Sequence, residues 1–367
     1  MRYFRSWALV AVAASVLAAC GGGGDGDQTP RVHYSRVVSF GDSLSDVGSY
    51  QVGTIAAVGG GQYTVNGTAN ANWTQRLSLA LGLPSGCAAQ TGLNSVISGI
   101  PAVPVTNHAD CYNYAQGGSR VTDPVGVANL LLYTQFNDPS GQLGQLTVPV
   151  VTQIANHLAK SGGTFAADEL VTVLAGGNDA LMNIAAANTG AITPTAAVTA
   201  MGQAGAELAA YINTQIVDKG ARRVVVLNLP DVSQTPAALA LSAGAQTLIN
   251  TMVTTFNSQL SAGLANTTGV LLVDAYTQGR VQTASPAQYG VTNVTTPACD
   301  LTTLNTILFP SSLVCSSVGA PSASIPPTVI AGDVSHYAYA DTVHPTPYAH
   351  QLLAQYVVQR MLEAGWL

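Results

Sequence analysis

Two short runs, one near each end of the chain, carry the residue types of acyl-transfer chemistry. Phe40-Gly41-Asp42-Ser43-Leu44-Ser45-Asp46 sets a serine on a turn after the apolar run Val37 to Phe40. Asp341-Thr342-Val343-His344-Pro345 sets a histidine three residues after an aspartate. A hydroxyl is a poor nucleophile until an imidazole takes its proton, and the imidazole needs a carboxylate to hold its tautomer. Ser43, His344 and Asp341 are therefore the candidate nucleophile, base and orienting group. Each run also has a plainer reading. Gly-Asp-Ser is common turn chemistry, and Asp-x-x-His suits a capped turn before a last helix. Two further segments add donors. Asn113-Tyr114-Ala115-Gln116-Gly117-Gly118-Ser119 offers glycine amides, and Leu174-Ala175-Gly176-Gly177-Asn178-Asp179 follows a second strand-like run. A glycine N–H and an amide side chain are the donor types of an oxyanion hole.

Such residues need a scaffold that ends its strands on one edge. Apolar runs at 37–40, 169–175, 223–229 and 269–275 read as strands. Helical patterns alternate with them at 72–81, 146–158, 195–219, 236–264 and 346–364, with Gly220 and Gly365 as stops. This alternation predicts an α/β fold, a parallel sheet with helices on both faces. Ser43 then lies at a strand's carboxyl end, where open α/β sheets place their sites. Segments 51–71, 84–111 and 280–333 break the alternation, the last with six prolines. Loops this long are usually functional or disordered; these are expected to wall the pocket, with surface ornament remote from the chemistry as the plainer reading. The apolar stretch 125–136 is read as ordinary core, with an acyl cleft as the alternative.

Four blocks in this order resemble the SGNH/GDSL hydrolase family, the GDSL lipases and esterases. Its serine block matches at Ser43, its glycine block at Gly118, with Gly117 the alternative register. The asparagine block matches at Asn178 and the last block at Asp341 and His344. Asn228-Leu229-Pro230-Asp231 also looks like a segment common in larger bacterial members. The resemblance covers about residues 36–362. It implies a flavodoxin-like three-layer α/β/α sandwich with long loop insertions. It also implies ester hydrolysis through Ser43, with an oxyanion held by the N–H groups of Ser43 and Gly118 and by the Asn178 amide. Alternatives on the same site are an O-acetyl-polysaccharide deacetylase and a lipid acyltransferase. An alternative of another class is a non-catalytic surface binding lipoprotein. No G-x-S-x-G elbow occurs, nor H-E-x-x-H, nor a P-loop, so no metal or cofactor is expected. Of the other histidines His336 is placed nearest the last block and is a candidate for substrate contact.

Only 8% of the chain is charged and its formal net charge is −6, which argues against nucleic-acid partners. Residues 1–19 read as a signal peptide: Arg2 and Arg5, then an apolar run too short to span a bilayer. The run ends in Leu17-Ala18-Ala19-Cys20, which resembles a bacterial lipobox. Cys20 is then the expected lipidation site, residues 20–30 a glycine-rich tether and 31–367 a single domain. The implied location is a bacterial outer-membrane lipoprotein at the periplasmic or cell-surface face, with secretion as the alternative. The expected partner is a small-molecule, lipid or polymer ester, and the expected state is a monomer. Four further cysteines, an even number in an exported chain, imply two disulfides. Three connectivities are possible. Local pairing, Cys87–Cys111 and Cys299–Cys315, is favoured because it closes loops within irregular segments.

Overall fold

The core begins with strand β1 (Arg36–Gly41), whose Val38 and Phe40 have no solvent exposure. The computed structural model of this protein describes residues 32–367. The signal peptide, Cys20 and the tether expected from the sequence lie outside the described residues. A short antiparallel hairpin, β2 (Gln90–Leu93) and β3 (Val103–Asn107), follows β1 in the chain. The main sheet is completed by β4 (Glu169–Leu174), β5 (Arg223–Leu227) and β6 (Val270–Val273). Its order is β1-β4-β5-β6 and every pairing is parallel. β1 is not an open edge. Ser39 N–H donates to Tyr112 O at 3.0 Å and Ser39 O accepts from Tyr114 N–H at 2.8 Å. The glycine-rich block therefore runs alongside the strand that carries the serine.

Side-chain alternation along the strands explains the layers. Val171, Val173, Val224 and Val226 face one way and pack with Ile154, Met201, Leu208, Met252 and Phe256. These come from helices Val150–Lys160, Pro194–Tyr211 and Ala243–Leu264. Leu170, Leu174, Val225 and Leu227 face the other way, against Trp73, Leu77, Val357 and Met361 of helices Trp73–Ala80 and Pro347–Glu363. All six residues of β4 are buried, as a strand covered on both faces requires. Burying each large apolar side chain contributes about 1.5–3 kcal/mol, so the sheet and its two helix layers carry much of the stabilising burial. A central parallel sheet with helices on both faces is the α/β architecture the alternation predicts.

The helix ends follow local chemistry. Asn72 and Gln75 form a reciprocal capping box, and Thr346 caps the last helix through Ala349 N–H. The predicted helix over 236–264 is instead two. Pro236–Leu239 is separate, because Ser242 caps a new start at Ala243. Helices Gly177–Asn188 and Ala275–Ala284 were not predicted; their patterns are short and weakly amphipathic.

A second apolar cluster lies outside the sheet layers. It gathers Tyr50, Ile55, Tyr63, Leu93, Ile100, Leu143, Leu313 and Ala340 from the long irregular segments. The disulfide Cys299–Cys315 sits inside it, and Cys87–Cys111 closes the segment before the glycine block. The stretch 125–136 is not ordinary core. Leu132 is buried, but Phe136 is exposed and Val127 and Ala128 line a cavity. The segment runs over the cavity, where it has no second layer to cover it.

Candidate active site

The turn after β1 is fixed by its backbone. Gly41 has φ +152°, and a Cβ there would lie 2.1 Å from Leu174 O, so only glycine fits beside β4. The Gln153 side chain brackets this glycine, accepting from its N–H at 2.9 Å and donating to its carbonyl at 2.8 Å. Asp42 O then accepts from Ser45 N–H and Asp46 N–H, which closes the turn. Asp46 accepts from Gly48 N–H, Ser49 N–H and Gly117 N–H, which ties the serine turn to the glycine block. Burial pushes the Asp42 carboxyl up to about 7, against the N–H donors of Leu44 and Gly177 and the charge of His344, with Asp179 adding to the rise.

Gly118 has φ +81°, and a Cβ would lie 2.3 Å from Val127 O. Asn178 stands at the start of the Gly177–Asn188 helix, where Gly176 at φ +113° turns the chain out of β4. Its Nδ2 donates to Ser119 O at 2.9 Å. An amide nitrogen carries two N–H donors, so one is left for another acceptor.

His344 comes from the opposite end of the chain. Its Nε2 is 2.9 Å from Ser43 Oγ. Its Nδ1 is 2.9 Å from Asp341 Oδ2 and 3.0 Å from Oδ1. Asp341 also accepts from the backbone N–H groups of Ser312, Val343 and His344. Burial alone would push this carboxyl up. The His344 imidazole and these donors outweigh it and hold the group well below the usual carboxylate range. Asp341 is therefore a fixed anion beside the ring. The Tyr63 ring packs on His344 with centroids 4.8 Å apart, and Thr64 Oγ1 donates to Pro345 O at 2.9 Å.

Ser43, Gly118, Asn178 and His344 all line one cavity of about 640 Å³. The three long segments contribute Tyr63, Ile97 and Phe309 to its wall, so they do border the pocket. The five residues singled out at the chain's two ends and in its two middle blocks are thus brought together. His336 is not among the lining residues; its ring stacks on Tyr348 at 4.2 Å. Gln153, Tyr63 and the Ser312 N–H escaped sequence reading. Their contacts cross 112, 281 and 29 residues, and nothing in the local pattern marks them. Among the described residues no group of three or more His, Cys, Asp or Glu is arranged to hold a metal ion.

A family model for GDSL-like lipase/acylhydrolase matches residues 37–357. The chain belongs to this family. An uncharacterized protein in the trpE-trpG intergenic region of Pseudomonas putida is 27% identical to this chain over 347 residues. The match covers 91% of this chain and 49% of the relative, so the chain spans about half of that protein's length. The two disulfides fit an extracellular or periplasmic location. No described helix is long and apolar enough to cross a membrane.

Proposed function

We propose that this protein is a serine esterase that hydrolyses carboxylic esters through an acyl-enzyme on Ser43. The observation that carries this reading is the continuous chain Ser43 Oγ–His344 Nε2–Asp341, opening into a cavity of about 640 Å³. Ser43 attacks the ester carbonyl while His344 takes its proton. Asp341 holds the proton on Nδ1 and stabilises the imidazolium that forms. The developing oxyanion is received by the N–H groups of Ser43 and Gly118 and by the free N–H of the Asn178 amide. His344 then returns the proton to the leaving alcohol, and water releases the acyl group by the reverse sequence.

A fluorophosphonate probe tests the reading directly, since it reacts with an activated serine. One label should attach to Ser43 in the wild type and none in Ser43→Ala. Labelling of the variant, or wild-type hydrolysis rates in it, would overturn the mechanism. We also propose that residues 1–19 export the chain and that Cys20 carries lipid. Cys20→Ser should then move the protein from the membrane fraction to the soluble fraction with its esterase activity intact.

A further inference from the structure

The cavity has two walls of different chemistry. Ile97, Ala128, Leu143 and Phe309 line it from the loop-built apolar cluster. Another wall is formed by the Ala275–Ala284 helix and the segment 228–235. Ala275, Gln278, Gly279 and Gln282 recur at helical spacing, so one face of this helix lines the cavity. A face turned to a core or an acyl chain is ordinarily apolar. This one presents two amides, and Gln234 presents a third. Among the described residues none of these three side chains bonds to another protein group.

Among the described residues Arg280 is the only lysine or arginine lining the cavity. Its Nη1 donates to Asp231 Oδ2 at 2.5 Å. The Asp231 side chain is 2% exposed and also accepts from Ser233 and Asn250, so its oxygens are engaged within the protein. The Arg280 side chain is 47% exposed, and a guanidinium carries five N–H donors. Tyr276 engages the guanidinium as well, and the donors that neither it nor Asp231 takes can meet a ligand. The Asn228-Leu229-Pro230-Asp231 run accounts for this placement. Asn228 donates to Asp274 at 2.8 Å and accepts from Tyr276 N–H at 2.9 Å, which docks the helix start, while Asp231 holds Arg280. The wall as a whole is neutral, because Asp231 matches Arg280. An anion would meet the carboxylate along with the guanidinium. A hydroxyl-rich group can use the guanidinium and all three amides.

We infer that this wall is a subsite for the alcohol portion of the ester, selective for a polyhydroxylated alcohol such as glycerol or a sugar, with the acyl chain on the apolar wall. The inference rests on the esterase reading. Its test separates the two by using ligands that cannot be hydrolysed. Binding of octyl glucoside, 1-octyl glycerol ether and octanol would be measured by calorimetry below their micellar concentrations. Both polyol ethers should bind at least about tenfold more tightly than octanol, and Arg280→Met should remove most of that difference, since a site built to bond hydroxyls discriminates strongly against their absence. A sugar-specific subsite would show in the glucoside alone, a glycerol-specific one in the glycerol ether alone. Equal binding of all three ligands, or an unchanged difference in Arg280→Met, would overturn the inference. A second readout is the ratio of kcat/KM for octanoyl glycerol to that for methyl octanoate, which should fall about tenfold in Arg280→Met. Tight polyol binding without hydrolysis of either ester would sink the esterase reading and leave the subsite standing.

Discussion

The serine corner and the histidine corner of the site are held by different kinds of structure. Ser43 follows a strand inside a two-faced core, and its turn is locked by Leu174 O, Gln153 and Asp46. His344 sits on a loop over the smaller cluster. Its partner Asp341 is fixed between the Ala340 backbone, paired with Cys299, and the Ser312 N–H, three residues before Cys315. The disulfide Cys299–Cys315 thus joins the two segments that hold Asp341. The serine corner draws its rigidity from a strand buried on both faces and from the buried Gln153 and Asp46 side chains that bond its backbone. The histidine corner, with less burial available, draws it from a covalent link and backbone donors. A nucleophile must be exact in direction, and its base must arrive from a distant part of the chain; the two demands are met separately.

The sharpest way to break the comparison is to remove a side chain at each corner. His344→Ala should lower kcat on an aryl ester by about 10⁴-fold or more, as much as Ser43→Ala, because the two act as one unit. Circular dichroism and melting should stay near wild type. A His344→Ala enzyme with more than a tenth of wild-type turnover would mean that the corners work apart.

Asn178 lies on the serine side, at the end of β4. Asn178→Ala should reduce kcat roughly 10²–10³-fold, the scale of one lost oxyanion donor, with KM little changed. Its bond to Ser119 O gives a structural alternative. A lowered melting point with intact turnover would assign Asn178 to the scaffold only.

The cysteine pairs sharpen the contrast. Replacing either pair by serines should cost about 3 kcal/mol of stability, the chain-entropy scale for loops of this size. Only the Cys299/Cys315 double variant should also lose turnover at temperatures below its melting transition, as Asp341 loosens. Equal turnover losses in both double variants would show that the histidine corner does not depend on its link.

The smallest expected effect is in pH dependence, and each region holds one reporter. His157 lies in the sheet core against Phe165, and His350 lines the cavity beside the histidine loop. Burial pushes them down to about 4 and about 3, with cationic neighbours adding, Lys160 and Arg36 for His157 and Arg76 for His350. Glu169, 3.9 Å from His157, does not offset this. A depressed imidazole favours the fold above its unfolded value of about 6.5 and loses that contribution as pH falls toward the folded value. These two imidazoles should therefore contribute a drop in melting temperature between pH 6.5 and 4, opposed by buried Asp42, whose raised carboxyl favours the fold as pH falls below about 7. His157→Phe should flatten the drop, as read by scanning calorimetry at matched ionic strength, and an unchanged slope would remove His157 as a source.

Much of this arrangement is legible in the sequence. Ser43, Gly118, Asn178, Asp341 and His344 were picked out by residue type and block order, and the parallel sheet by strand–helix alternation. Both are local: an apolar run of four, a glycine after it and an aspartate three residues before a histidine can be read within a short window. The helix split at Ser242 was missed, because a cap signal inside an apolar pattern competes with the pattern itself. What only the tertiary structure decided are the contacts across long stretches of chain. Gln153 brackets Gly41, Tyr63 packs on His344, Ser312 steadies Asp341, and Arg280 is held by Asp231 at the cavity wall. The pairing of a polar wall with an apolar one is of the same kind. Short-range periodicity specifies which face of an element is buried, but not which distant element it meets, and the substrate is recognised by what meets there.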